Sequence, residues 1–217
     1  LTMSKEFDHR REIIANCLKM NASGLNQGTS GNLSVRWKDG MLVTPSGIAY
    51  DQLAPEDIVH VQRDGAYEHP LAPSSEWRFH RDIYLAKPEV NAIVHAHPTY
   101  CTALAIRHME IPAVHYMVAI SGGHNIRCAP YQTYGTQALS EAAIAALQDR
   151  SCCLLANHGM IATGASMAKA MWLAVEMETL ARQYITALQI GGPILLPDDE
   201  IACVAEKFKN YGLKEKA

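Results

Sequence analysis

The sequence predicts an α/β domain built on a mixed sheet. Short apolar runs with strand character alternate with longer segments of helical periodicity. A Lys38-Asp39-Gly40 hairpin signal joins two of the strands directly, and the other connections are of uneven length, so the sheet is not expected to be purely parallel.

Ser4 to Ser23 spaces Phe7, Ile13, Ile14, Cys17 and Leu18 in a helical rhythm, and Gly24 follows as a C-terminal stop. Gln27 to Asn32 is a polar, glycine-containing loop. Leu33 to Trp37 and Met41 to Thr44 are the hairpin strands, and Ile58 to Gln62 is a third strand closed by Arg63-Asp64-Gly65. Pro73 to Glu76 opens a helix running to about Lys87, with Ser74 or Ser75 as N-cap, Glu76 in the first turn and Pro88 as the stop. Ala92 to His95 is a strand, and Pro98 begins the helix that follows. Gly135 to Arg150 is an Ala-rich helix. Cys152 to Ala156 is a buried strand, from which Gly159 lets the chain turn sharply. Met167, Met171, Ala174, Met177, Ala181, Tyr184 and Leu188 line the apolar face of a long helix, and Asp198 to Tyr211 forms the last one.

Composition narrows the function classes. The 217 residues are 48% hydrophobic, enough for one buried core, and a single domain over residues 3–217 is expected. Leu1-Thr2 ahead of Met3 reads as a cloning remnant, with no secretory leader pattern behind it. A net charge of −3 with scattered basic residues argues against nucleic acid. The longest apolar stretch, Met167 to Ile190, is interrupted by Lys169, Glu176, Glu178 and Arg182, which argues against a membrane span. Six cysteines without a CxxC pair point to a reducing cytoplasm. Ten histidines are a surplus that calls for a site, because imidazole is both a metal ligand and a near-neutral acid/base.

The surplus has a focus at His95-Ala96-His97. Residues two apart on a strand point to one face, so both imidazoles can reach one ion, although such a pair also arises from two unrelated surface histidines. His158, in Asn157-His158-Gly159 at a strand end, is the candidate third ligand; alternatively it is a turn histidine bonded to a carbonyl. Three imidazoles with an open position make a Lewis-acid site. Glu76 is either a helix-start acid or a carboxylate near that ion, tuned for proton transfer. Gly28 to Asn32 (with Thr29, Gly31 and Asn32), Thr44 to Gly47 (with Ser46 and Gly47), and Ser74-Ser75 are hydroxyl- and glycine-rich turns. They are ordinary tight turns or, jointly, one phosphate seat. None matches a nucleotide fingerprint.

Taken in order, Gly28 to Asn32, Thr44 to Gly47, Pro73 to His80, His95 to His97, Ile111 to Met117 and Asn157 to Gly159 resemble the class II aldolase/epimerase family. The resemblance continues to Lys207–Gly212. It implies a three-layer α/β/α sandwich around a mixed, largely antiparallel sheet, assembled as a C4 homotetramer. It also implies a lyase with one zinc ion per subunit, replaceable by Mn2+ or Co2+, held by residues matching His95, His97 and His158. Glu76 completes the metal shell when substrate is absent and transfers a proton when it is present. Thr29, Gly31, Asn32, Ser46, Gly47, Ser74 and Ser75 would hold the phosphate of a ketose 1-phosphate, and Tyr116 and Tyr211 would reach the site across a subunit boundary. Cleavage would give dihydroxyacetone phosphate and an aldehyde. Tyr134 stands where the resemblance leads one to expect phenylalanine, near the aldehyde end. That leaves L-fuculose, 5-deoxyribulose and 5-methylthioribulose 1-phosphates open as substrates. The absence of Asp and Glu from Ile111 to Arg127 lowers the epimerase reading. A dehydratase and an adducin-like interaction module remain as alternatives, the latter disfavoured by the intact His95, His97, His158 and Glu76.

Overall fold

A computed structural model describes residues 2–209. Seven strands form one sheet: β1 (Asn32–Trp37), β2 (Gly40–Val43), β3 (Val59–Val61), β4 (Ala92–Ala96), β5 (Cys128–Ala129), β6 (Cys152–Leu155) and β7 (Gly159–Gly164). Their order is β3-β2-β1-β4-β7-β6-β5. Neighbours run antiparallel except β5 and β6, which are parallel, so the sheet is mixed as expected.

Alternation along the strands splits the core into two layers. Leu33, Val35, Ala92, Val94 and Ala162 face α1 (Thr2–Ala22), α3 (Thr99–Ile106) and α5 (Met167–Gln189), packing with Ile13, Cys17, Leu104, Met171 and Met177. Met41, Val43, Ile93, Cys153 and Ile161 face α2 (Trp77–Ala86) and α4 (Gln137–Ala146), packing with Phe79, Ile83, Leu139 and Ala143. Helices therefore cover both faces, which makes a three-layer α/β/α sandwich. The last helix, α6 (Asp198–Phe208), joins neither layer; Ile201 and Val204 pack on Ala119 of a 3-10 segment, Tyr116–Ser121. No helix among the described residues is long and apolar enough to cross a membrane.

Local physics explains most boundaries. Gly24 ends α1 at φ 75°, and Leu25 N–H reaches back to Met20 O at 3.0 Å. Ser166 caps α5 by accepting from Lys169 N–H. The hairpin forms where Lys38-Asp39-Gly40 predicts it: Lys38 takes the left-handed conformation (φ 51°), and Gly40 is required because Val61 O occupies the space of any Cβ. Several other expectations need correction. The predicted N-cap serines lie before α2: Ser74 N–H is bonded to Thr44 O at 2.9 Å, keeping the chain extended, so the helix starts at Trp77 behind Glu76. Leu188, assigned to the apolar face of α5, is 43% exposed. Two strands, β5 and β7, have no counterpart in the expected element order. Asp198 opens the last helix as expected, but its expected end, Tyr211, lies outside the described residues.

Candidate metal and phosphate site

Three separate elements bring the candidate ligands together at one end of β4. His95 is on β4, paired with Asn32 of β1 and Ile161 of β7. His97 follows β4 and precedes Pro98, the N-cap of α3. His158 lies in the three-residue turn between β6 and β7, where Asn157 takes the left-handed conformation at φ 53°. This corrects the role expected of Gly159. It does not make the turn; it opens β7, and a Cβ there would stand 2.5 Å from Ala96 O and 2.7 Å from the His97 ring.

The three imidazoles lie 4.9 Å apart pairwise, centroid to centroid. His95 Nε2 is 3.0 Å from His97 Nε2 and 3.0 Å from Glu76 Oε2, and His158 Nε2 is 3.0 Å from Glu76 Oε1. One donor atom from each of the four residues lies within 4.8 Å of all the others. His95 Nδ1–H donates to Met160 O at 2.8 Å, a tautomer that turns the Nε2 lone pair toward the cluster. Glu76 Oε1 is buried with no hydrogen-bond partner, because the approach of His158 has the distance but not the angle of one. A buried carboxylate oxygen and three convergent imidazole nitrogens are costly side by side unless a cation lies among them, so the donor set fits a divalent ion. Burial alone would raise the Glu76 carboxyl, but the neighbouring His95 and His158 hold it well below the usual carboxylate range. Burial, together with His95 and His158, pushes His97 down to about 3, so it is neutral at pH 7, the form that can bind a cation.

The predicted phosphate turns converge on the same cavity, of about 410 Å³, which Thr29, Gly31, Asn32, Ser46, Gly47, Ser74, Ser75, Glu76, His97 and His158 line together. Pro45 and Pro73 form a β-bridge, flanked by Ser46 N–H to Ala72 O and Ser74 N–H to Thr44 O, which ties the second and third turns together. Among the described residues, the backbone N–H groups of Gly47 and Ser75 and the hydroxyls of Thr29, Ser46 and Ser75 have no protein partner. No Lys or Arg lines the cavity. An anion seated there would be held by backbone and hydroxyl donors rather than by a basic side chain.

The sequence reading missed several neighbours. Asn26 is buried and accepts from His97 N–H at 3.2 Å and Ser30 Oγ at 3.3 Å, pinning the first turn to the ligand strand. Gly31 is needed beside it, because a Cβ there would lie 2.8 Å from both Asn26 and His95 O. Tyr131, Gln132 and Asn157 also line the cavity, beside Tyr134, which the resemblance had placed near the substrate. Asn157 could have been found from its place beside His158; Tyr131 and Gln132 carry no local signal. Asn32 meets the cavity, but its amide is bonded to Glu76 and His80. Tyr116 does not line the cavity: it is 48% exposed, stacked on His115 and adjacent to Phe208 of α6. Tyr211 lies outside the described residues.

Known proteins resemble the chain over nearly its full length. The chain is 52% identical over 205 residues to L-fuculose phosphate aldolase of Escherichia coli K12, covering 94% of this chain and 95% of that one. It is 51% identical over 203 residues to the 5-methylthioribulose-1-phosphate/5-deoxyribulose-1-phosphate aldolase of Rhodospirillum rubrum, covering 94% and 92%. A solved L-fuculose 1-phosphate aldolase superposes with a TM-score of 0.91 at 40% identity, covering 93% of this chain and 96% of that one. Residues 11–185 match the sequence model described as the class II aldolase and adducin N-terminal domain, and the chain belongs to that family.

Proposed function

We propose that this protein is a zinc-dependent aldehyde-lyase that reversibly cleaves a ketose 1-phosphate to dihydroxyacetone phosphate and an aldehyde, acting in the cytoplasm as a homotetramer. The observation that carries the proposal is a four-residue donor set opening into the same cavity as an uncharged anion seat.

The turns at Thr29–Asn32, Ser46–Gly47 and Ser74–Ser75 bind the phosphate and so fix the position of the ketose carbons. A divalent ion held by His95, His97 and His158, with Glu76 completing the set before substrate enters, supplies Lewis-acid stabilisation for negative charge developing on the ketose oxygens. In cleavage the C3–C4 bond breaks, the C4 hydroxyl gives up a proton and C3 takes one. Glu76 moves the proton at C3, returning it in cleavage and removing it in the reverse direction; its carboxyl is held ionised at rest, the form that removes the proton. Tyr116 handles the C4 hydroxyl proton from a neighbouring subunit, and Tyr211 joins it there. The half-exposed Tyr116 ring, outside its own cavity, supports that placement.

Two substrate readings stand. L-Fuculose 1-phosphate, which would release lactaldehyde, accords with the relative at 52% identity. 5-Deoxyribulose or 5-methylthioribulose 1-phosphate, from nucleoside by-product salvage, accords with the relative at 51%. The Tyr134 hydroxyl at the cavity rim is the feature that would discriminate between them. The test is purified protein, with zinc quantified by elemental analysis, incubated with all three ketose 1-phosphates. Dihydroxyacetone phosphate from at least one, with its aldehyde identified, is the expected result. Epimerised or dehydrated product, or none at all, would overturn the proposal.

A further inference from the structure

Glu76 and four buried polar side chains behind it form a chain of hydrogen bonds between β1 and α2. Glu76, His80 and Tyr84 recur every four residues, and Asn32 and Ser34 are two apart on the facing strand, so both sets project into one interface. Asn32 Nδ2 lies 3.0 Å from Glu76 Oε2, His80 Nε2 2.5 Å from Asn32 Oδ1, Ser34 Oγ 2.7 Å from His80 Nδ1, and Tyr84 OH 2.8 Å from Ser34 Oγ.

The inventory of donors and acceptors gives this chain one direction. The Glu76 carboxylate can only accept, so the Asn32 amide nitrogen faces it and the Asn32 oxygen faces His80. That oxygen requires a hydrogen on His80 Nε2. His80 is neutral, because burial and nearby His95 push it down to about 3, so its Nδ1 carries a lone pair and accepts from Ser34. The Ser34 oxygen then accepts from Tyr84, whose phenol burial keeps protonated. Every donor points toward Glu76.

We infer that His80 is a positioning residue for Glu76: it acts through Asn32, whose amide it locks in the orientation that donates to Glu76 Oε2, and so fixes the carboxylate against the metal cluster. With the opposite tautomer at His80, the Asn32 oxygen would face the carboxylate oxygen, and the carboxylate would lose its donor. The role rests on the proposed use of Glu76, but its signature is independent of turnover.

The deciding measurement is nitrogen NMR of histidine-labelled, zinc-loaded protein. His80 is expected as the neutral tautomer protonated at Nε2, and finding it protonated at Nδ1 or doubly protonated at pH 7 would overturn the inference. Two variants add a functional readout. His80→Phe keeps a ring but removes the donor, and is expected to lose about 10- to 100-fold in kcat or zinc affinity, as is usual for groups that orient ligands. Its KM for ketose 1-phosphate should stay within about twofold, because the phosphate turns are untouched. His80→Gln, whose amide can both donate to Asn32 and accept from Ser34, is expected to recover most of the loss. A Gln variant as impaired as Phe, or a Phe variant equal to wild type, would count against the role. If no aldolase activity exists in any form, the proposed function fails while the tautomer and zinc affinity still decide the positioning role. If His80→Phe fails to fold, the tautomer in the unaltered protein decides alone.

Discussion

At the scale of single residues, Glu76 is held among three neighbours, the Asn32 amide and the His95 and His158 imidazoles, while its Oε1 has no hydrogen-bond partner. Glu76→Gln keeps the shape and removes the proton acceptor. Turnover is expected to fall about 10²- to 10⁴-fold, the range for loss of a general base, while substrate still protects the metal from chelators. Unchanged turnover would remove Glu76 from the chemistry. His80 makes a separate prediction about acid stability. In the unfolded chain it takes a proton near its ordinary value of 6.5, whereas in the fold it resists protonation down to about 3. Between those values the unfolded state binds the extra proton, so this residue lowers stability as pH falls through the window. Replacing it with Gln should flatten the slope of unfolding free energy against pH there by up to one proton, about 1.4 kcal/mol per pH unit. A slope identical to wild type would refute the buried neutral state. The ligand histidines were legible because strand spacing and a strand end are local signals. His80 was not, because what makes it functional is Asn32 and Ser34, more than forty positions away on another element.

At the scale of elements, the sheet edge of the site depends on a strand that local reading does not detect. β7 is six residues with glycine at both ends, and glycine is a poor strand former. Its reason to exist is tertiary: it pairs with β4 on one side and β6 on the other, and its first glycine lets Ala96 and His97 approach. β5, two residues long, escapes for a related reason, since its pairing with β6 is nearly all that defines it. The helices were readable because amphipathic spacing and caps are written within their own segments. Gly159→Ala tests the approach directly. The new methyl group would press on the Ala96 carbonyl and the His97 ring, so a loss of about 1–3 kcal/mol is expected, as for overpacking elsewhere. Because His97 is one of the proposed ligands, zinc affinity should fall with it. Thermal unfolding and competition with a chromogenic chelator measure the two, and a stable variant with native affinity would show that the strand can shift freely.

At the scale of the whole molecule, the fold accounts for half of the proposed chemistry. One chain assembles the donor set and the anion seat, but leaves Tyr116 outside its own cavity, beside the helix that leads to Tyr211. Nothing in periodicity or spacing says that a second chain completes the site; only the family resemblance carried that expectation, because an interface has no signature within a single strand or helix. Subunit mixing puts it to the test. Tyr116→Phe supplies chains with an intact Glu76, and Glu76→Gln supplies chains with an intact Tyr116, each nearly inactive alone. If each site draws Tyr116 from a neighbour, co-assembly of equal amounts restores whole sites at about one boundary in four, as random placement in a closed ring requires. If Tyr116 serves its own chain, no arrangement of the two variants makes a whole site and the mixture stays as inactive as its parents. The same mixture passed through light scattering reports whether the particle is a tetramer, so regained activity in a particle of monomer mass would reject the shared site and point to exchange of material between the preparations.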